Sequence, residues 1–240
     1  LMPTLPELLR QLQFITQEMA LLGLFVTAGV ILVGRDWRVL ILALLAQYIL
    51  VGLILSRLVR PDIATLQVMI GAFICPILFL SARRVSSSSF APVLALNKGE
   101  GYELANWRRT LAVIASFIKG PVRRRRPPAT GFVFRIFTLL LLILVATNLT
   151  RSAPLAGLSP SVNTAVYWLV LVGLITLTLT EDPLKTGHGL FTALTGFELF
   201  YATVERGLLL TGLWGAVKLL IALAIGYLTV VRGTGPEEEW

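Results

Sequence analysis

VLILALLAQYILVGLILSRL, Val39–Leu58, runs for twenty residues with a single charge, Arg57, close to its end. Twenty helical residues rising 1.5 Å each reach about 30 Å, the thickness of a bilayer's hydrocarbon core. A helix on the surface of a soluble domain would carry a polar face repeating every third or fourth residue. This stretch has no such face, so it reads as a membrane span.

Runs of the same kind lie on both sides of it, at about Leu12–Val33, Ile63–Ala82, Gly131–Leu149, Val162–Leu179, Thr186–Val204 and Leu208–Val231. Apolar residues make up 56% of the 240 and charged residues 14%, with a mean hydropathy of +0.81. That balance leaves too little polar surface to cover a soluble exterior. The expected fold is therefore all-α, a polytopic transmembrane bundle of about seven spans. Turn and breaker residues mark the joints: Gly34-Arg35-Asp36, Arg60-Pro61-Asp62 and Ser152 to Pro160. Glu205-Arg206-Gly207 demands a very tight hairpin. Pro76, inside the third span, is expected to kink it.

The formal charge of +8 is concentrated between Arg83 and Arg135, with Arg123, Arg124, Arg125 and Arg126 in one run. Basic residues between apolar spans fix orientation toward the cytoplasm, which argues against nucleic acid as a partner. The chain thus divides into a three-helix membrane bundle (1–85), a basic cytoplasmic loop (86–130) and a four-helix membrane bundle (131–240). Counting spans outward puts the N-terminus outside and the C-terminus in the cytoplasm of a cell inner (plasma) membrane. Arg57, Arg60 and Arg151 then fall on the outer side, against the rule. Leu1 to Gln13 lacks the basic start and short apolar core of a cleavable signal, so the first span is expected to direct insertion itself. Within the loop, Leu104, Trp107, Leu111, Ile114 and Ile118 share one helical stripe, as expected for an amphipathic helix lying in the interface. Ser86 to Ser89 is expected to act as a hinge before it. Trp107 and the four arginines are candidate contacts for lipid headgroups, with an acidic cytoplasmic subunit as a further candidate partner.

No nucleotide-binding, zinc-protease or serine-hydrolase motif is present, and neither a cofactor nor a metal is expected. The single histidine, His188, cannot build a multi-histidine site, and the single cysteine, Cys75, cannot form an intramolecular disulfide. What remains is a small set of polar groups inside apolar spans, where they are expensive and normally face a bundle interior. Glu198 lies roughly 10 Å deep from the outer end of its span, and Lys218 roughly 16 Å deep in the next. In an antiparallel hairpin the two are offset by about 6 Å, within a lysine's reach. The pair is open to two readings: an ion-path site whose protonation shifts, or a static pair that locks the hairpin. His188 is a candidate cytoplasmic proton entrance, and Glu18 a candidate at a shallow outer mouth. Gln47 and Gln67 are expected to hydrogen-bond between helices.

Tyr167 to Gly233, with Gly196-Phe-Glu198-Leu in one helix and Ala224-Ile-Gly226 in the next, resembles the three-helix K subunit of respiratory complex I and the C subunit of Mrp-type cation/proton antiporters. In that family the glutamate after a glycine in the second helix is implicated in proton conduction, and Glu198 matches it. The family's second intramembrane glutamate has no counterpart, since Ala222 stands there with Lys218 one turn earlier. Arg60-Pro-Asp-Ile-Ala64, Gly71-Ala-Phe and Leu78-Phe-Leu-Ser-Ala-Arg-Arg84 resemble the small D-type membrane subunit of energy-converting hydrogenases. The whole chain is similar in length and order to the E membrane component of hydrogenase-4-type complexes. The resemblance implies a non-catalytic membrane subunit of a redox-driven or antiporter complex, helping to translocate protons or sodium beside other membrane subunits. A stand-alone transporter or channel and a purely structural anchor are the alternatives.

Overall fold

A computed structural model describes residues 17–59, 61–88, 131–205 and 207–234, with the side chains of 86–88 and 233–234 excepted. Among the described residues the chain is all-helical, with seven helices and no strand: α1 (Gln17–Val33), α2 (Trp37–Leu58), α3 (Pro61–Ser88), α4 (Phe132–Ser152), α5 (Pro160–Thr178), α6 (Pro183–Val204) and α7 (Leu208–Thr234). Five of them, α2, α3, α4, α5 and α7, are long and apolar enough to cross a membrane. This is a membrane protein built of transmembrane helices. The described part of α1 is 17 residues long. α6 has 22 residues but carries Lys185, His188 and Glu198 among its buried positions. The interfacial helix expected at Leu104–Ile118 lies outside the described residues.

The joints follow local chemistry. Gly34 closes α1 by donating its N–H to Val30 O at 2.7 Å, and a Cβ there would meet Leu40 Cδ2 at 2.9 Å. Pro61, Pro160 and Pro183 each open a helix, where a missing N–H is harmless and φ is already helical. The tight hairpin at Glu205 is held by its own carboxylate, which accepts the Gly207 N–H at 2.9 Å. Ser86 to Ser88, expected as a hinge, instead continue α3. An established helix propagates by one hydrogen bond per added residue, so three serines do not suffice to end it.

Helices from either side of the central loop pack on one another. The most extensive contact is α5 on α6, and α7 lies chiefly against α3, with less contact to its sequence neighbour α6. α1 packs on both α2 and α5, while α4 sits at the periphery on α5 and α1. α6 touches α1, α2, α3, α5 and α7. Its approach to α5 is set at Gly173, where a Cβ would run into the backbone of Ala193 and sit 2.6 Å from Gly189 O. Small residues let two backbones close this far in lipid, where hydrophobic exclusion cannot drive helices together. The most polar helix thus ends up inside a cage of apolar ones.

All the helix ends expected on the cytoplasmic side gather at one end of the bundle. Lys185 Nζ donates to Gly34 O at 2.7 Å and Leu32 O at 3.1 Å, Arg135 reaches Leu32 O at 3.5 Å, and Arg232 donates to Glu181 O at 2.6 Å. That basic end carries Arg35, Arg38, Arg83, Arg84, Arg135, Lys185 and Arg232, whereas the described part of the opposite end carries Arg57 and Arg151.

Candidate functional site

The seam with α5 leaves the other face of α6 turned toward α2, α3 and α7, and that face is polar. Lys185, His188, Thr192, Thr195 and Glu198 recur every three or four residues, so they stack along one stripe of a 3.6-residue helix, and all five are buried. The hydroxyls of Thr192 and Thr195 donate back to His188 O at 2.8 Å and Phe191 O at 2.6 Å, which satisfies them in an apolar setting.

At one end of the stripe Glu198 meets Lys218 of α7, with Nζ 2.6 Å from Oε2. Gln67 of α3 bridges the pair: its Nε2 donates to Glu198 Oε2, and its Oε1 accepts from Lys218 Nζ at 3.2 Å. The ammonium also lies over the Tyr48 ring of α2, 5.1 Å from its centroid, a cation–π contact that helps replace lost hydration. Gly71 makes room for that ring, since a Cβ there would land on it. Lys218 has no exposure and Glu198 is 5% exposed. Charges this deep survive only when opposed and hydrogen-bonded, because a single ion in low dielectric is far costlier than the pair. One carboxylate oxygen, Glu198 Oε1, is buried without a hydrogen-bond partner among the described residues.

A narrow cleft of about 10 Å³, room for about one water, reaches Glu198 and Gln67 from the ends of α2, α3, α6 and α7, between Leu55, Ile63, Tyr201, Ala202, Thr211 and Trp214. In the opposite direction the α6 stripe leads toward the basic end. Thr192 approaches Gln47 Oε1 of α2 at 3.5 Å, the long limit of a hydrogen bond. The His188 Nδ1–H donates to Leu184 O at 2.7 Å, since a carbonyl can only accept. His188 Nε2, Gln47 Nε2 and the Tyr48 hydroxyl are buried with no partner among the described residues.

Of the residues singled out by sequence, Glu198 and Lys218 are brought together, and His188 shares the α6 face of Glu198 about 15 Å away at 1.5 Å per residue. Glu18 is exposed in the first turn of α1, away from this cluster. Trp107, Arg123, Arg124, Arg125 and Arg126 lie outside the described residues. Gln67 hydrogen-bonds between helices, while Gln47 only approaches the Thr192 hydroxyl of α6, at 3.5 Å. Sequence reasoning missed Tyr48, Thr192, Thr195 and Lys185. The signal for Thr192 and Thr195 was present: polar residues spaced three and four apart through the span that carries Glu198. Tyr48 gave none, because an aromatic in an apolar run reads as packing. Among the described residues no cluster of three or more His, Cys, Asp or Glu could hold a metal ion. No protein-family model matches the chain, and no curated protein and no solved structure is a match to it.

Proposed function

We propose that this chain is a non-catalytic membrane subunit of a multi-subunit ion-translocating complex, related to complex I, energy-converting hydrogenases and Mrp antiporters, and that Glu198 carries the ion. The observation behind this reading is the buried Gln67–Glu198–Lys218 cluster, set between a cleft from one end of the bundle and a polar helix face from the other. The resemblance of Gly196-Phe-Glu198-Leu to the K-subunit helix points the same way. By the excess of lysine and arginine, the basic end faces the cytoplasm of an inner membrane, with the N-terminus outside and all seven helices spanning.

The chemistry favours a proton over sodium. A second cation at the carboxylate is opposed by the ammonium 2.6 Å away, and the one unpartnered oxygen is far from a coordination shell. A proton needs only one lone pair. The proposed route runs from His188 Nε2 at the basic end along Thr192, Gln47, Thr195 and Tyr48 to Glu198, and it needs water to enter between these groups. Protonation there weakens the hold on Lys218, and the cleft gives the outward exit. The static-anchor reading keeps the same contacts and no traffic.

Glu198→Gln separates the two. If the carboxyl conducts, the complex assembles, because the amide nearly preserves shape, and ion translocation in membrane vesicles falls to background. If it only balances Lys218, the orphaned ammonium costs about 3 to 5 kcal/mol and the complex is lost from the membrane. An assembled Glu198→Gln complex that translocates at the full rate refutes the conducting role.

A further inference from the structure

Between α1 and α4 lies a second feature, unconnected with the glutamate. An apolar groove of about 530 Å³ runs along the outside of the bundle, walled by Phe25 and Gly29 of α1, by Gly34 just past its end and by Leu139 and Ile143 of α4, with Trp168 of α5 in its floor. The indole is 1% exposed and stacks on Phe25 at 5.2 Å. From Phe25 to Gly34 the groove is about 14 Å long at the helical rise, close to half of a 30 Å hydrocarbon core. It therefore extends from one headgroup level to near the midplane, the depth of a single leaflet.

The headgroup end of the groove is charged. On α4, Arg135, Leu139 and Ile143 follow one another at four-residue spacing, so the arginine continues the groove wall at its mouth. Arg135 and Lys185 both direct donors to Leu32 O, at 3.5 and 3.1 Å, and Lys185 also reaches Gly34 O, itself part of the groove. Arg35 follows directly, exposed. Two or three cations stand where a lipid phosphate would sit if its acyl chain filled the groove. Among the described residues the acidic groups of the same end are Asp36, Glu181 and Asp182, the last accepting from Leu184 N–H.

We infer that this groove binds an anionic phospholipid of the leaflet at the basic end, its acyl chain laid between α1 and α4 over Trp168 and its phosphate held by Arg135, Lys185 and Arg35. A zwitterionic lipid of the same chains has the same apolar fit but lacks net charge. An interfacial lysine or arginine is worth about a five-fold preference for an anionic headgroup. The site is independent of ion conduction and would serve a structural subunit equally.

Native mass spectrometry of the full chain in mild detergent, given equimolar dioleoyl phosphatidylglycerol and dioleoyl phosphatidylcholine, tests it. Preferential retention of phosphatidylglycerol is expected, reduced about five-fold by Arg35→Gln and further by Arg35→Gln with Arg135→Gln. Arg135→Lys should keep the preference, which guards against loss of the buried arginine simply unfolding the chain. Gly29→Leu, whose Cβ would touch only Leu139 Cδ1 at 3.1 Å, should fill the groove and lower retention of both lipids. Arg57→Gln, at the opposite end, should change nothing. Equal retention of the two lipids by the unaltered chain, or an undiminished preference in a folded Arg35→Gln/Arg135→Gln variant, or full retention in Gly29→Leu, overturns the proposal.

Discussion

Gln67 uses both ends of its amide on one ion pair, donating to Glu198 and accepting from Lys218. This fixes the pair's geometry more firmly than charge alone, because the amide has a direction and a Coulomb attraction does not. Gln67→Leu should leave the pair in place and remove one donor and one acceptor, at about 1 to 3 kcal/mol. Thermal unfolding of the detergent-solubilised chain measures it, and an unchanged midpoint would mean that the amide orients nothing. Tyr48→Phe should be nearly silent, since the ring face under Lys218 is kept, while Tyr48→Leu should lose about 0.5 to 2 kcal/mol by the same measurement. Glu198 and Lys218 were legible in the sequence because a charge inside an apolar run has no cheap explanation. Tyr48 was not, because its role depends on which way α2 faces. That direction is set by α3 through Gly71, a contact that no local pattern encodes.

At the scale of helices, the α5–α6 seam decides which face of α6 is presented to the site. Gly173→Leu places a side chain into the backbone of Ala193, which cannot move aside without shifting all of α6. The expected loss is about 3 kcal/mol or more, with the Glu198 stripe displaced from α2 and α3. A membrane-inserted Gly173→Leu chain as stable as the unaltered one would contradict the seam. Helix positions were readable from run length, and joints from Gly34, Pro61 and Pro160. Which helices pair was not readable. α7 follows α6 through a tight hairpin yet lies chiefly on α3, and apolar faces in lipid are nearly interchangeable until small residues and polar groups select among them. The antiparallel-hairpin argument located Lys218 beside Glu198, but Gln67, 131 residues from Glu198 in sequence, entered only with the folded bundle.

For the whole molecule, the basic end and the cleft end define a direction. Cys75 is buried, so an introduced cysteine supplies the accessible thiol among the described residues. Ser152→Cys, exposed at the end of α4, should react with an impermeant maleimide added to intact cells, and Glu181→Cys only after the membrane is opened. The opposite pattern would invert the orientation. The claim that Glu198 carries protons is tested most directly in inverted vesicles from cells whose complex holds Glu198→Gln together with Lys218→Met. That variant removes both charges at once, so no orphaned ammonium remains to unfold the bundle. Acidification of the vesicle interior, measured with a pH-sensitive dye and normalised to the amount of assembled chain, should fall to the level of cells lacking the chain. Acidification at the unaltered rate would contradict the account and leave the pair a structural lock.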